Sequence, residues 1–219
     1  MEEISMLKTN IESVKGYKEM NISYTLLRAE ENSGNLTIFL PGAGYTIRSP
    51  LFHYSTDIFL NKGFDVLQVN YQYNDKVYAE FSMEELSEAI KYDVRTVIDT
   101  VLKGTSYENF YIIGKSLGTI AMSSELRRDI FEEAKAVWLT PLIQRDDVFD
   151  AMVSSTNSGL CFIGDNDHCY TEERYNQLAN NPKIVARLIP NVNHSLEYEN
   201  NTVESIEVLK SVIDDINNL

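Results

Sequence analysis

The 219-residue sequence predicts a doubly wound α/β fold: a mostly parallel sheet with helices on both faces and an antiparallel hairpin at one edge. Three observations predict it. Short strand-like runs alternate along the chain with amphipathic helical patterns, as in parallel strands joined by crossover helices. Those runs are apolar throughout, as strands covered on both faces must be. No internal repeat, low-complexity tract or Pro/Gly-rich linker interrupts the alternation, so residues 1–219 read as a single domain, large enough to bury a substantial core without disulfides.

Residues 5–14 and 22–29 read as strands, and the tight "GYKEMN" between them predicts a hairpin. "LTIFL" at 36–40 is a short buried strand that runs into the glycine loop "PGAG". Further strands are expected at 64–71, 109–114, 136–142, 159–164 and 183–189. The clearest helix is 84–103, where Leu86, Ala89, Ile90, Val94, Val97, Ile98 and Val101 recur at spacings of three and four and form one apolar stripe. Shorter helices are expected at 117–130 and 172–179 and within "IQRDDVFDAMV". A last helix at 202–216 carries Val203, Ile206, Leu209, Val212, Ile213 and Ile216 on one side. Thr202 is the expected cap, because its hydroxyl can accept from an unpaired first-turn N–H. Ligands of such sheets gather at the carboxyl ends of the strands, so the residues just after each strand carry the functional reading.

Composition narrows the function classes. With 19 basic against 33 acidic residues the chain carries a charge of −14, which argues against nucleic-acid partners and anionic membrane surfaces, both of which need basic patches. The opening "MEEISMLKTN" is acidic and does not read as a secretory signal. No apolar run approaches the roughly 20 residues of a spanning helix. Cys161 and Cys169 lie eight apart with no CxxC pattern. No metal or cofactor is expected from them, and they read as reduced thiols of a cytoplasmic protein. Oligomeric state is left open.

The segment "YIIGKSLGTIA" contains two overlapping motifs. A phosphate loop ending in "GKS" requires a glycine five residues before Gly114; that residue is Asn109, and "FYII" between them is a buried strand with no room for a phosphate cradle. The other motif, Gly-x-Ser-x-Gly, fits its context. A strand ends at the turn, Gly114 and Gly118 lie two residues either side of Ser116, and a helical pattern follows at once. Small residues are needed there because strand and helix approach closely. A serine hydroxyl needs a base to become a nucleophile, and the base needs an orienting acid. Of the three histidines, His53, His168 and His194, only His194 lies late in the chain on a loop after the last strand. The acid should fall between serine and histidine. Asp165 and Asp167 follow one strand and Asp146 and Asp147 the preceding one; Asp167 is preferred.

On these residues the sequence resembles the α/β-hydrolase family over about 22–219. The order Ser116, Asp167, His194 matches the family's Ser…Asp/Glu…His order. Gly164-Asp165-Asn166-Asp167 resembles the family's Gly-x-x-Asp at the acid strand and puts Asp167 in the acid's place, with Asp165 second; "NHSLE" resembles the family's histidine context. The resemblance implies an oxyanion hole made by the backbone N–H of Leu117 and a second donor from Pro41-Gly42-Ala43-Gly44-Tyr45, Ala43 first and Gly44 next. The family commonly has His-Gly-x in that loop, and Pro41 departs from it. The implied activity is hydrolysis of a carboxylic ester or thioester of a small-molecule acyl substrate. A peptidase, an acyltransferase or a non-catalytic binding protein on the same fold are the alternatives, since a triad defines acyl transfer and not its donor or acceptor.

Only about 16 residues separate Leu142 from Gly159, too few for a lid domain. The substrate pocket must therefore come from loops near the sheet. Gly44, Tyr45, Tyr71 and Tyr73 are candidates for it, with Tyr78 and Phe81 completing an aromatic wall. Lys115, between Gly114 and Ser116, requires an acidic or polar partner if buried. It reads either as a contact to a polar substrate group or, preferably, as one half of a structural ion pair.

Overall fold

A computed structural model of the chain describes residues 8–29 and 33–219. Its eight strands are β1 (Lys8–Lys15), β2 (Asn21–Arg28), β3 (Asn35–Leu40), β4 (Asp65–Asn70), β5 (Asn109–Lys115), β6 (Lys135–Leu139), β7 (Gly159–Gly164) and β8 (Ile184–Ile189). Its six α-helices are α1 (Pro50–Asn61), α2 (Met83–Leu102), α3 (Gly118–Glu125), α4 (Asp146–Val153), α5 (Glu172–Ala179) and α6 (Thr202–Asn217). The strands form one sheet in the order β1-β2-β4-β3-β5-β6-β7-β8. β1 and β2 pair antiparallel, β2 joins β4 antiparallel, and every pair from β4 to β8 is parallel. The expected edge hairpin is present, although its first residues, 5–7, lie outside the described ones.

Alternation along each central strand builds two cores. Ile38, Ile112, Trp138 and Cys161 face one side, with Ile90, Val94 and Val97 of α2, Ile120 of α3 and Met152 of α4. Phe39, Ile113, Val137 and Phe162 face the other, with Phe52 and Phe59 of α1 and Val212 and Ile216 of α6. β4 and β5 lie on opposite sides of β3, so the chain reverses its direction of travel across the sheet there. A crevice opens at the carboxyl ends where such a reversal occurs, and that is where ligands bind.

Two helix boundaries differ from expectation. The helix after Ser116 ends at Glu125 rather than near Ile130, and a separate turn of 3₁₀ helix covers Asp129–Phe131. Arg128 takes an extended backbone (φ −85°, ψ 138°), and its guanidinium bonds the buried Glu125 at 2.6 Å and also Asp99. The second correction concerns α6. Asn201, not Thr202, is its cap: the Asn201 side chain accepts from the Glu204 N–H at 3.2 Å, and Thr202 is already the first helical residue. Between β6 and β7 the only described α-helix is the short α4, so no lid covers the sheet's carboxyl edge.

Candidate active site

Ser116 follows the last residue of β5 and precedes α3. Its backbone is left-handed (φ 50°), a conformation that costs a non-glycine residue of order 1–3 kcal/mol and persists only where the surroundings enforce it. Two contacts enforce it. The Ser116 N–H donates to Leu139 O of β6 at 3.0 Å, and Thr119 N–H donates to Ser116 O at 2.9 Å. The glycines on either side serve different neighbours. A Cβ on Gly118 would lie 2.0 Å from Leu40 O and 2.8 Å from Pro41 O, both backbone atoms, whereas one on Gly114 would meet chiefly the Met122 side chain. Gly42 approaches the serine itself, since a Cβ there would come within 3.2 Å of Ser116 Cβ.

His194 lies on the loop between β8 and α6, and Asp167 on the turn after β7. The structure brings both to Ser116. His194 Nε2 is 2.7 Å from Ser116 Oγ, and His194 Nδ1 is 2.8 Å from each carboxylate oxygen of Asp167. Burial alone would raise the Asp167 carboxyl. The hydrogen bonds from His194 and from the Cys169 N–H, with the nearby imidazoles, outweigh burial and hold it below the ordinary carboxylate value. An ionised carboxylate only accepts, so Nδ1 carries the imidazole proton and Nε2 is free to accept from the serine hydroxyl. Asp165 makes a different contact: its Oδ1 accepts from the Asn191 N–H at 2.5 Å and does not reach His194. Asp146 pairs with Arg174, and Asp147 with Lys91 and Arg145.

The N–H groups of Leu117 and Ala43 have no acceptor among the described residues, while Gly42 N–H donates to Tyr45 O at 3.1 Å. Leu117 stands immediately before α3, where helix N–H groups are unpaired. Gly44 is exposed, and Tyr45 is partly buried with its hydroxyl accepting from the Leu51 N–H at 3.0 Å.

Lys115 differs most from expectation. It is 1% exposed and forms no ion pair among the described residues. Its Nζ donates to Thr140 Oγ1 at 2.7 Å and to His194 O at 2.8 Å, and it lies 4.7 Å from the centre of the Tyr45 ring. Burial brings its pKa down to about 8, against the opposing charges of Asp167 and Glu197. One side chain thus ties β5, just before Ser116, to the loop of His194, to the end of β6 and to the loop after β3. The aromatic candidates are also placed by packing. Tyr71 and Tyr73 are each 6% exposed; the Tyr71 hydroxyl donates to Pro41 O at 2.5 Å and the Tyr73 hydroxyl to Asp93 of α2. Tyr73, Tyr78, Phe81 and Tyr17 continue as edge-to-face neighbours toward the hairpin turn. Tyr45 instead borders a cleft of about 290 Å³, with Leu51, Ser195 and Leu196 among its other walls.

Sequence reasoning missed two supports of the site. Thr140, at φ 42°, presents its hydroxyl to Lys115, and nothing local in "LTPL" marks it for that. Asn193 shapes the histidine loop by accepting from the Ser195 N–H at 2.8 Å, an Asx turn whose signal is the asparagine directly before His194.

No family model matches the sequence, and no curated protein matches it either. Solved structures do match. An α/β serine hydrolase homologue from Coxiella burnetii superposes with a TM-score of 0.70 at 12% identity, over 95% of this chain and 96% of that one. A lidless α/β serine hydrolase from Xanthomonas campestris gives 0.70 at 12% identity, over 96% and 93%. A cold-adapted esterase from an Arctic intertidal metagenomic library gives 0.69 at 11% identity, over 100% and 96%. At these identities the likeness is one of fold.

Proposed function

We propose that this chain, which has the α/β-hydrolase fold, is a serine hydrolase that cleaves a carboxylic ester or thioester of a small substrate. The observation that carries the proposal is His194 standing between Ser116 Oγ at 2.7 Å and the Asp167 carboxylate at 2.8 Å. A hydroxyl, an imidazole with its free nitrogen toward that hydroxyl, and a buried carboxylate orienting the other nitrogen give the imidazole the role of general base to the hydroxyl. In the proposed reaction Ser116 Oγ attacks the acyl carbonyl while His194 Nε2 takes its proton. Asp167 holds the imidazole in place and offsets the positive charge it acquires. The unpaired N–H groups of Leu117 and Ala43 are the proposed donors to the oxyanion, where each such donor is worth about 10²–10³ in rate. His194 then protonates the leaving group and draws a proton from water to release the acyl chain. The hydrolase and esterase neighbours support this chemistry and leave the substrate open.

The test is labelling with a fluorophosphonate probe, wild type against Ser116→Ala. Labelling of the wild type alone is expected, with hydrolysis of short-chain p-nitrophenyl esters following the same pattern. A folded wild type that stays unlabelled would leave a binding protein on a hydrolase fold.

A further inference from the structure

The Asp167-His168-Cys169 turn holds donors that the acyl-transfer reaction does not use. His168 follows the acid directly, its side chain is 72% exposed, and its Nδ1 lies 3.6 Å from Asp167 Oδ1. Its ring centre is 4.6 Å from that of His194. Cys169 is buried, and its backbone N–H already donates to the same oxygen, Asp167 Oδ1, at 2.8 Å. One ligand atom from each of Asp167, His168, Cys169 and His194 lies within 4.8 Å of every other. Zinc bond lengths of about 2.0–2.3 Å place tetrahedral ligands roughly 3.3–3.7 Å apart, so the donor atoms, within 4.8 Å of one another, need draw together by only about 1–1.5 Å to close around one ion. The donor set of one sulfur, two imidazole nitrogens and one carboxylate oxygen is the mixture zinc prefers over magnesium or calcium. A carboxylate and a thiolate neutralise the ion's two charges, the exposed His168 gives it an entrance, and the chain's net charge of −14 favours its approach.

We infer that these four residues form an inhibitory binding site for a thiophilic divalent cation, zinc above all, built on the acid and base of the proposed triad. The binding part stands on the geometry alone; the inhibition part rests on the proposed function. Metal on His194 Nδ1 takes the lone pair of the nitrogen that now carries the proton, so the neutral ring must hold that proton on Nε2. The imidazole keeps its one proton, the Cys169 thiol releases one to solvent, and no electrons move. Nε2–H is a donor and cannot take the Ser116 proton. The ion therefore silences the base by fixing the wrong tautomer, without displacing the serine.

Cobalt(II) serves as the spectroscopic probe on the full chain. Wild type is expected to bind it saturably with a thiolate-to-cobalt absorption band. Cys169→Ala should lose the band, and His168→Ala should bind at least about tenfold more weakly, since even indirect supports of a metal site are worth that much. Zinc should displace the cobalt, abolish fluorophosphonate labelling of the wild type and be reversed by chelation, while the labelling of metal-free His168→Ala, at whatever level it stands, resists zinc. A cobalt spectrum unchanged in both variants, or equal zinc inhibition of wild type and both variants, would overturn the inference. Metal-free wild type that does not label would overturn the proposed function instead, with the cobalt spectra still deciding the site.

Discussion

At the scale of single residues, the Gly-Lys-Ser-Leu-Gly turn separates into demands of different strength. Gly118 is constrained by backbone oxygens, with a Cβ falling 2.0 Å from Leu40 O, while Gly114 faces the flexible end of Met122 at 2.8 Å. Gly118→Ala should therefore destabilise by at least the roughly 1–3 kcal/mol of core overpacking, and Gly114→Ala by clearly less; urea unfolding of the two variants checks the order. The requirement for small residues was legible from the motif, but their ranking was not, because the opposing atoms belong to β3, some 80 residues earlier in the chain. Lys115 gives the second prediction. Lys115→Met removes the donor from His194 O and Thr140 Oγ1 without touching the proposed chemistry. A loosened histidine loop misplaces the base, so kcat for an ester substrate should fall about 10–100-fold with KM nearly unchanged. A rise in KM at constant kcat would instead make Lys115 a substrate contact. Sequence anticipated that Lys115 needs a partner; that the partners are a threonine hydroxyl and a main-chain carbonyl depends on two other strand ends meeting there.

Among the elements, α6 separates local signal from outcome. Periodicity placed this helix, but the cap is one residue earlier than the threonine that local chemistry suggested. Asn201 accepts from Glu204 N–H, so Asn201→Ala should cost about 0.5–2 kcal/mol and Thr202→Ala close to nothing; thermal denaturation of the pair tests it, and equal losses would contradict it. Asparagine and threonine are both good caps, and the choice falls to whichever residue leaves the helical backbone first: Asn201 sits at φ −142° and ψ 88°. α3 is short for a related reason. Its apolar pattern continues past Glu125, but the buried carboxylate draws Arg128 back toward itself and Arg95 of α2 bonds it at 2.9 Å. The helix ends at Glu125 where the apolar pattern alone would have extended it, and Arg128 then turns to an extended backbone.

Across the whole molecule, Asp93 joins three parts of one end of the sheet: it is buried on α2 and accepts from the Tyr17 N–H at 2.5 Å and from the Tyr73 hydroxyl. Burial raises its pKa above the ordinary 3.8, and the two hydrogen bonds offset that only in part. The folded state thus keeps the proton after the unfolded chain has lost it. The stability tied to that proton is fully present below 3.8 and is lost as pH rises through the raised folded value. Asp93→Asn cannot ionise, so its stability relative to wild type should climb across that window and then level off; a difference that stays flat or falls with pH would contradict this. The sequence by itself determined the alternation of strands and helices and the glycine spacing at Ser116, because each is written in local periodicity or in adjacent residues, whereas the strand expected at 136–142 ends already at Leu139. Only the tertiary structure decided that Asp167 rather than Asp165 meets His194, that Lys115 bonds neutral oxygens, that Tyr73 serves Asp93, and that His168 and Cys169 gather beside His194. Each of those depends on where segments distant in the chain converge at the carboxyl edge of the sheet, and a carboxylate or an amine carries no local mark of the partner that packing will bring to it.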